Sequence, residues 1–415
     1  MSGLCGIWNR QFDQHSSDDN YRWAMRIPRL VLGALGIWPE MGNSGIKFVI
    51  CLAIYFVFIV VPRVIIMFDE EEDVRNRFLN ISTSVYDISI ATIAVLFYCK
   101  SHGVRSMLGE VRDIWKSPLS REDTIVLHYY ARFSMKILTV YGIIEIVVYL
   151  DVLIDINASS LAAIIKGEQW SANHYWYRSV SSNVLINVLW AAACSIAVGL
   201  SWIFFDGTLI AYIVLISHTS AQLKMLGNRI SKYQGRINHS SDGDTSASMY
   251  GGGIECNCLK CIVETQVQIW NFLKKVEDHF QMALLMILFV AILYGCMGGF
   301  LAAELLIKQE YVKALVELVW SLTVYVGITL SCWVVDICQE NSRSLGEVAY
   351  SIQWTTKNPK ISRDLLFIIR QSAIPLKLTV GKCYTPSLIL VRKSIFTTLS
   401  YTSSLLATSN LHTNN

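Results

Sequence analysis

The chain has 415 residues, 53% of them hydrophobic and only 16% charged, whereas a water-soluble domain carries about a quarter charged residues. The shortfall is made up by repeated apolar runs, which excludes a soluble globular domain and makes the chain a polytopic membrane protein. The net charge of +3 says little by itself; its distribution says more, and no nucleic-acid partner is expected.

Residues 1–45 lack the short apolar core and small-residue cleavage site of a secretory signal, so none is expected there, and they read as a cytoplasmic segment. Seven apolar runs follow: Ile46–Phe68, Ser84–Cys99, Ser134–Ile154, Asn183–Ile216, Phe280–Ala303, Leu315–Cys338 and Pro386–Asn410. Each has helical length, and lipid admits only helices or closed barrels. The prediction is an all-α membrane protein with seven transmembrane helices. The second run is short, and the fourth is long enough to tilt or to extend beyond the bilayer.

Lysine and arginine set the orientation. They number 4 in the N-terminal segment and 6, 7 and 7 in loops two, four and six, against 2 in each of loops one, three and five. The positive-inside rule then puts the N-terminus in the cytoplasm and the C-terminus outside, with the chain multi-pass in the plasma membrane. Two glycosylation sequons agree, since Asn80-Ile-Ser and Asn157-Ala-Ser both fall in external loops; Asn238-His-Ser falls inside. The arrangement is the reverse of a G-protein-coupled receptor, and neither a DRY-like triplet nor an NPxxY-like run occurs.

Loop one opens with Asp69-Glu70-Glu71-Glu72-Asp73, which reads as a solvated acidic cap or as a cation-collecting vestibule. Loops four and six have helix-like flanks that should extend the neighbouring helices into the cytoplasm as a stalk where subunits meet. Cys256, Cys258 and Cys261 have too few well-spaced partners for a structural zinc site. No structural disulfide, metal or cofactor is expected. Phosphate-binding loops, dinucleotide fingerprints, zinc-protease helices and nucleophile elbows are all absent from the sequence, so it is not read as an enzyme.

Ionisable groups within apolar runs are costly and by default hint at function. Arg63, Asp87 and Asp151 lie near run ends and read as structural, facing headgroups or capping, and Asp206 lies in the fourth run. Glu145 is deeper, and is either a bundle contact or a polar feature of a ligand cavity. Tyr86, Tyr141, Tyr149, Trp190, Trp320 and Tyr325 are either interfacial belts or pocket walls, with Asn187 and Thr323 as available polar partners.

The last seventy residues organise the rest. A polar, basic stretch is expected to run without a clear break into the final apolar run, which carries Thr397, Thr398, Ser400, Thr402, Ser403, Ser404 and Thr408. A helix facing only lipid has no use for so many hydroxyls, so this one is expected to face a bundle interior or water.

Ala349-Tyr350, Trp354, Pro359-Lys360, Arg363, Leu365-Leu366, Ile369-Arg370, Pro375-Leu376, Leu378-Thr379, Gly381-Lys382, Pro386-Ser387-Leu388 and Ser400-Tyr401 fall in an ungapped pattern. In that pattern the chain resembles the insect odorant receptors, seven-helix ligand-gated cation channels. The resemblance implies a non-selective cation channel subunit of olfactory sensory neuron dendrites, assembled with an olfactory co-receptor as a heterotetramer. It implies a small volatile apolar ligand held among helices two, three, four and six, here by Tyr86, Ile90, Tyr141, Glu145, Tyr149, Asn187, Trp190, Trp320, Thr323 and Val324. Residues 46–338 are then helices one to six, 339–385 a cytoplasmic anchor helix forming the first half of helix seven, and 386–415 the pore-lining half with a short external tail. Pore-lining positions fall on Thr397, Ser400, Tyr401, Ser404 and Thr408.

The family's hydrophobic gate aligns with Ser404 and Thr408, where this chain has hydroxyls, so closure is expected to depend on the co-receptor. A gustatory receptor of the same architecture is the first alternative, although its Gln-Phe signature is missing from SYTSSLLATSN. A secondary transporter is the second, although no internal repeat is found.

Overall fold

The structure, a computed structural model, describes residues 17–38, 44–67, 74–166, 183–233, 258–352, 359–373 and 378–413. Two short helices, α1 (Ser17–Ala24) and α2 (Arg26–Ala34), precede α3 (Ser44–Tyr55), which continues through a π turn (Phe56–Val60) into α4 (Val61–Met67). Then come α5 (Val74–Cys99), α6 (Ser101–Lys116), α7 (Arg121–Lys166), α8 (Val184–Ser231), α9 (Leu259–Ile307), α10 (Tyr311–Ser351), α11 (Pro359–Ala373) and α12 (Leu388–Thr413). The acidic run 69–73, Asn238 and Cys256 lie outside the described residues.

Helices α7 to α10 are 46, 48, 49 and 41 residues long. At 1.5 Å per residue the longest reach about 70 Å, more than twice a hydrocarbon core of about 30 Å, so each projects well beyond a bilayer. The projecting end is marked by ion pairs: Lys232–Glu122 (2.6 Å), Lys275–Glu110 (2.7 Å) and Arg229–Asp123 (3.7 Å). Such pairs add little stability when exposed; their clustering shows which end of the bundle is polar. The start of α7 is fixed locally, since Ser120 Oγ accepts from the Asp123 N–H and two acids occupy the first turn.

Helix α8 is the central post, packed most extensively against α10 and α7, and α9 packs against α10, α12 and α5. The lipid-facing stripe of α7 is legible in its spacing. Ile143, Ile146, Val147, Leu150 and Ile154 are exposed, whereas Tyr141, Val148 and Val152 are buried on the opposite side.

Among the described residues, five helices are long and apolar enough to cross a membrane, or six if the bent pair Thr83–Cys99 and Ser101–Lys116 is one span. The difference from the seven expected lies mainly in α12, which has the length but whose hydroxyls keep it below the apolarity of a lipid-solvated span. The expected continuous final cassette is also interrupted. Gln339 to Ser351 continue α10, α11 stands apart, and residues 378–387 form a turn closed by a Val380–Tyr384 bridge. Gly381 has φ +58° there, a left-handed backbone, and an added Cβ would lie 2.5 Å from Leu285. Pro386 then prevents the turn from joining a helix upstream.

Candidate ligand-binding site

The first span carries a π turn where its own sequence breaks the helical hydrogen bonding. Pro62 has no N–H for the carbonyl of Phe58 four residues earlier, and the π turn just before it absorbs the mismatch. The freed Phe58 carbonyl is taken by the Cys194 thiol of α8 at 3.8 Å. Ile59, within the π turn, is buried on the inner side. One residue past Pro62, Arg63 donates from Nε to Asp87 Oδ2 of α5 at 3.1 Å and from a terminal nitrogen to Thr83 Oγ1 at 3.1 Å. Tyr55 donates to the Asp87 backbone carbonyl at 3.0 Å. Both charged side chains are at most 4% exposed. Arg63 and Asp87 are therefore structural as expected, but they are buried against each other rather than facing headgroups.

Beside this ion pair lies a cavity of about 40 Å³. Its walls come from the first span, α5, α7, α8, α9 and α10. Three carboxyl groups face it, those of Asp87, Glu145 and Asp206, with the hydroxyls of Ser201 and Thr323. The remaining surface is aromatic and aliphatic: Tyr86, Trp202, Phe205, Tyr294, Trp320 and smaller side chains including Val324. Rings meet in pairs, Tyr86 with Tyr294 at 4.9 Å between centroids and Trp202 with Trp320 at 6.5 Å. Tyr149 packs on Trp202 at 5.2 Å and donates to the Ser195 carbonyl at 3.0 Å. Trp320 donates to Asp151 Oδ2 at 3.2 Å. Tyr141 donates to Asp206 Oδ1 at 2.6 Å, in a space left by Gly327, whose added Cβ would stand 2.8 Å from the Tyr141 oxygen.

Of the positions expected to form a pocket, Tyr86, Glu145, Trp320, Thr323 and Val324 line this cavity together. Tyr141 and Tyr149 sit just behind it, bonded to or stacked on lining residues. Ile90 is fully buried within the core and is not part of the lining. Asn187 and Trp190 lie apart as well; Trp190 packs on Phe58 at 5.2 Å instead. Sequence reasoning missed Ile59, Asp87, Trp202 and Tyr294 as wall residues. Asp206, an acid inside an apolar run, carried a usable signal; Tyr294 did not, because nothing in its own run marks which side faces inward.

The terminal helix docks next to this cavity. Tyr325 of α10 and Thr398 of α12 share a hydrogen bond of 2.5 Å. Thr402 donates to the Cys296 carbonyl at 3.3 Å, and the Cys296 thiol reaches the Thr398 carbonyl at 3.6 Å. Close approach depends on glycine: an added Cβ at Gly295 would lie 3.0 Å from Thr398, and one at Gly299 would lie 3.1 Å from Thr402. At the other end of α12, Asp336 of α10 accepts from the Leu388 N–H at 3.1 Å and caps the helix.

Helix α12 thereby has three faces. Val391, Ser394 and Thr398 are buried in the bundle, Ile395, Phe396 and Leu399 form an exposed apolar strip, and Thr397, Ser400, Tyr401, Ser404 and Thr408 follow one another at helical spacing on a third side. Thr397 is half-buried and the other four are exposed. Asn157, read as a sequon, is an exposed position within α7 whose amide donates to the Leu153 carbonyl at 2.7 Å. Asn80 falls within α5. A second, open groove of about 680 Å³ lies between the start of α9 and α11, with Val263, Trp270 and Phe367 in its walls. No metal-holding cluster occurs among the described residues.

Fold and site together define a class: a helical multi-pass membrane protein with an enclosed acid-and-aromatic cavity beside a hydroxyl-rich final helix. Residues 73–395 match the 7tm odorant receptor family, and the chain belongs to that family. It is 25% identical over 245 residues to odorant receptor 13a of Drosophila melanogaster; the match spans 56% of this chain and about half (54%) of that relative. Its fold is similar to that of the insect olfactory receptor OR5 from Machilis hrabei in complex with eugenol, with a TM-score of 0.76 at 16% identity over 95% of this chain and 100% of that one. A second structure of OR5 from Machilis hrabei gives a TM-score of 0.74 at 16% identity, over 94% of this chain and 99% of that one.

Proposed function

We propose that this chain is an odorant-gated, non-selective cation channel subunit that works in a tetramer with an olfactory co-receptor in the plasma membrane of sensory neurons. The observation that carries the reading is an adjacency. Tyr294 and Val324 line the cavity, and their next neighbours in sequence, Gly295 and Tyr325, hold α12. A ligand that moves the first pair moves the second.

Cavity size makes such movement necessary. Ligand pockets usually have about 300 Å³ or more, and this one has about 40 Å³, room for a few waters. A volatile molecule enters only if the rings separate, so it favours a different conformation from the one described here. A hundredfold shift in that balance takes about 2.7 kcal/mol of differential affinity, within reach of a few buried methylenes at about 0.8 kcal/mol each.

In this reading α12 is the seventh span and the pore wall, with the N-terminus inside and the C-terminus outside. Its third face, through Ser400, Ser404 and Thr408, meets water. Since Ser404 and Thr408 are hydroxyls, closure of the pore relies on larger residues of the co-receptor. The projecting ends of α8 to α10, with α11, form the cytoplasmic anchor, and the open groove beside α11 is part of the surface where subunits meet. Asn80 and Asn157 are the external glycosylation positions.

The test is co-expression with an olfactory co-receptor, recording current against a broad panel of volatiles while cysteines at 400, 404 and 408 are probed with charged thiol reagents. Ligand-evoked current and modification from the aqueous side are expected. A surface-delivered assembly that stays silent to every volatile, with all three positions inaccessible, would sink the reading.

A further inference from the structure

Two of the three acids that line the cavity have no cationic partner among the described residues. Asp87, Glu145 and Asp206 all line it, and among the described residues no lysine, arginine or histidine does. The guanidinium of Arg63 is committed to Asp87 and Thr83. Tyr141 donates its one proton to Asp206 and brings no charge. Buried acids are ordinarily paired with a cation. The rings of Tyr86, Trp202, Tyr294 and Trp320 line the same cavity, and an aromatic face attracts a cation through its quadrupole.

We infer that the ligand class of this cavity is a small organic amine, whose ammonium group donates to Glu145 and Asp206 while its carbon skeleton lies among the four rings. The inference rests on the odorant-receptor reading above and narrows its ligand. An alcohol brings one donor and no charge. An ammonium brings two or three donors and a positive charge, suited to two carboxyl groups and an aromatic ring at once. The apolar walls, including Ile59, Val148 and Val198, supply the surface for that skeleton once the rings separate.

The experiment uses the full chain with its co-receptor. Primary amines from n-butylamine to n-octylamine, with 2-phenylethylamine, are each compared at pH 7.4 with the alcohol and the hydrocarbon of the same shape. At least one amine is expected to half-maximally open the channel at a concentration tenfold or more below those of its two neutral counterparts. That comparison needs no variant. Glu145→Gln and Asp206→Asn are each expected to bring the amine-to-alcohol ratio close to one, with surface labelling confirming delivery. Amines no more potent than their counterparts overturn the inference and leave the receptor reading intact, and so does a ratio that survives both substitutions. Silence to all these compounds, in cells where other volatiles open the channel, overturns it too. Silence to every volatile, in an assembly that still passes current with a direct opener of the co-receptor, overturns the receptor reading itself.

Discussion

The cavity and the seam that holds α12 are one residue apart in the chain and are built from opposite materials. Around the cavity the contacts are large rings, three acids and an ion pair, and most polar groups have partners fixed by geometry. Along the seam there are glycines, a cysteine and threonine hydroxyls, with helices touching almost backbone to side chain. The first region stores its stability in a few strong, desolvated interactions. The second depends on closeness, so a small displacement breaks several weak bonds together. A ligand site gains from the first kind of construction and a moving pore wall from the second.

The largest expected effect breaks the cavity side. Arg63→Met leaves Asp87 buried without its guanidinium, a loss of about 3–5 kcal/mol. Surface biotinylation should show the protein retained inside the cell. Adding Asp87→Leu should restore most delivery, because an apolar pair of similar volume is tolerated where a lone buried charge is not.

Next, Gly295→Val places branched carbons against Tyr325 and Thr398, where even a Cβ would stand 2.9 and 3.0 Å away. Overpacking of this kind costs about 1–3 kcal/mol, and it falls on the conformation whose cavity is too small for a ligand. Current recorded without any volatile should rise, by roughly fivefold to a hundredfold if the whole cost bears on gating.

A finer test removes one hydrogen bond. Tyr325→Phe and Thr398→Val each delete the 2.5 Å contact, worth about 0.5–1.5 kcal/mol, and should raise ligand-free current about two- to tenfold. Together they should do no more than either alone, since both remove the same bond. Additive effects would show that the seam does not work through this pair.

The smallest effect lies away from both regions. Gln222 in α8 is fully buried, and neither atom of its amide has a hydrogen-bond partner among the described residues. Gln222→Met keeps the volume and removes that desolvation penalty. Thermal unfolding of the detergent-solubilised protein should shift upward by a few degrees or stay unchanged, with gating unaltered.

Parts of the site were open to reading in the sequence. The stripe Ile143, Ile146, Val147, Leu150 and Ile154 marks the lipid side of α7, which puts Tyr141, Glu145 and Val148 on the inner side by helical spacing alone. The hydroxyls of the last helix were equally plain, though not their division into a docked face and an exposed one. Asn187 and Trp190 were misplaced because the depth of a residue along a 48-residue helix is not given by its spacing. Arg63 and Asp87 were visible as charges but not as partners, since they are 24 positions apart on different helices.

Composition and periodicity by themselves determined that this chain is a bundle of membrane-crossing helices, which ends are polar, and that its final helix is suited to water as well as to lipid. Those properties follow from local spacing and from the cost of placing charge in hydrocarbon. Only the tertiary structure decided that three acids from three helices share one small chamber with five aromatic side chains, and that the chamber's wall residues adjoin those gripping α12. Such meetings depend on how deep each helix sits and how it is rotated against its neighbours, and packing sets both.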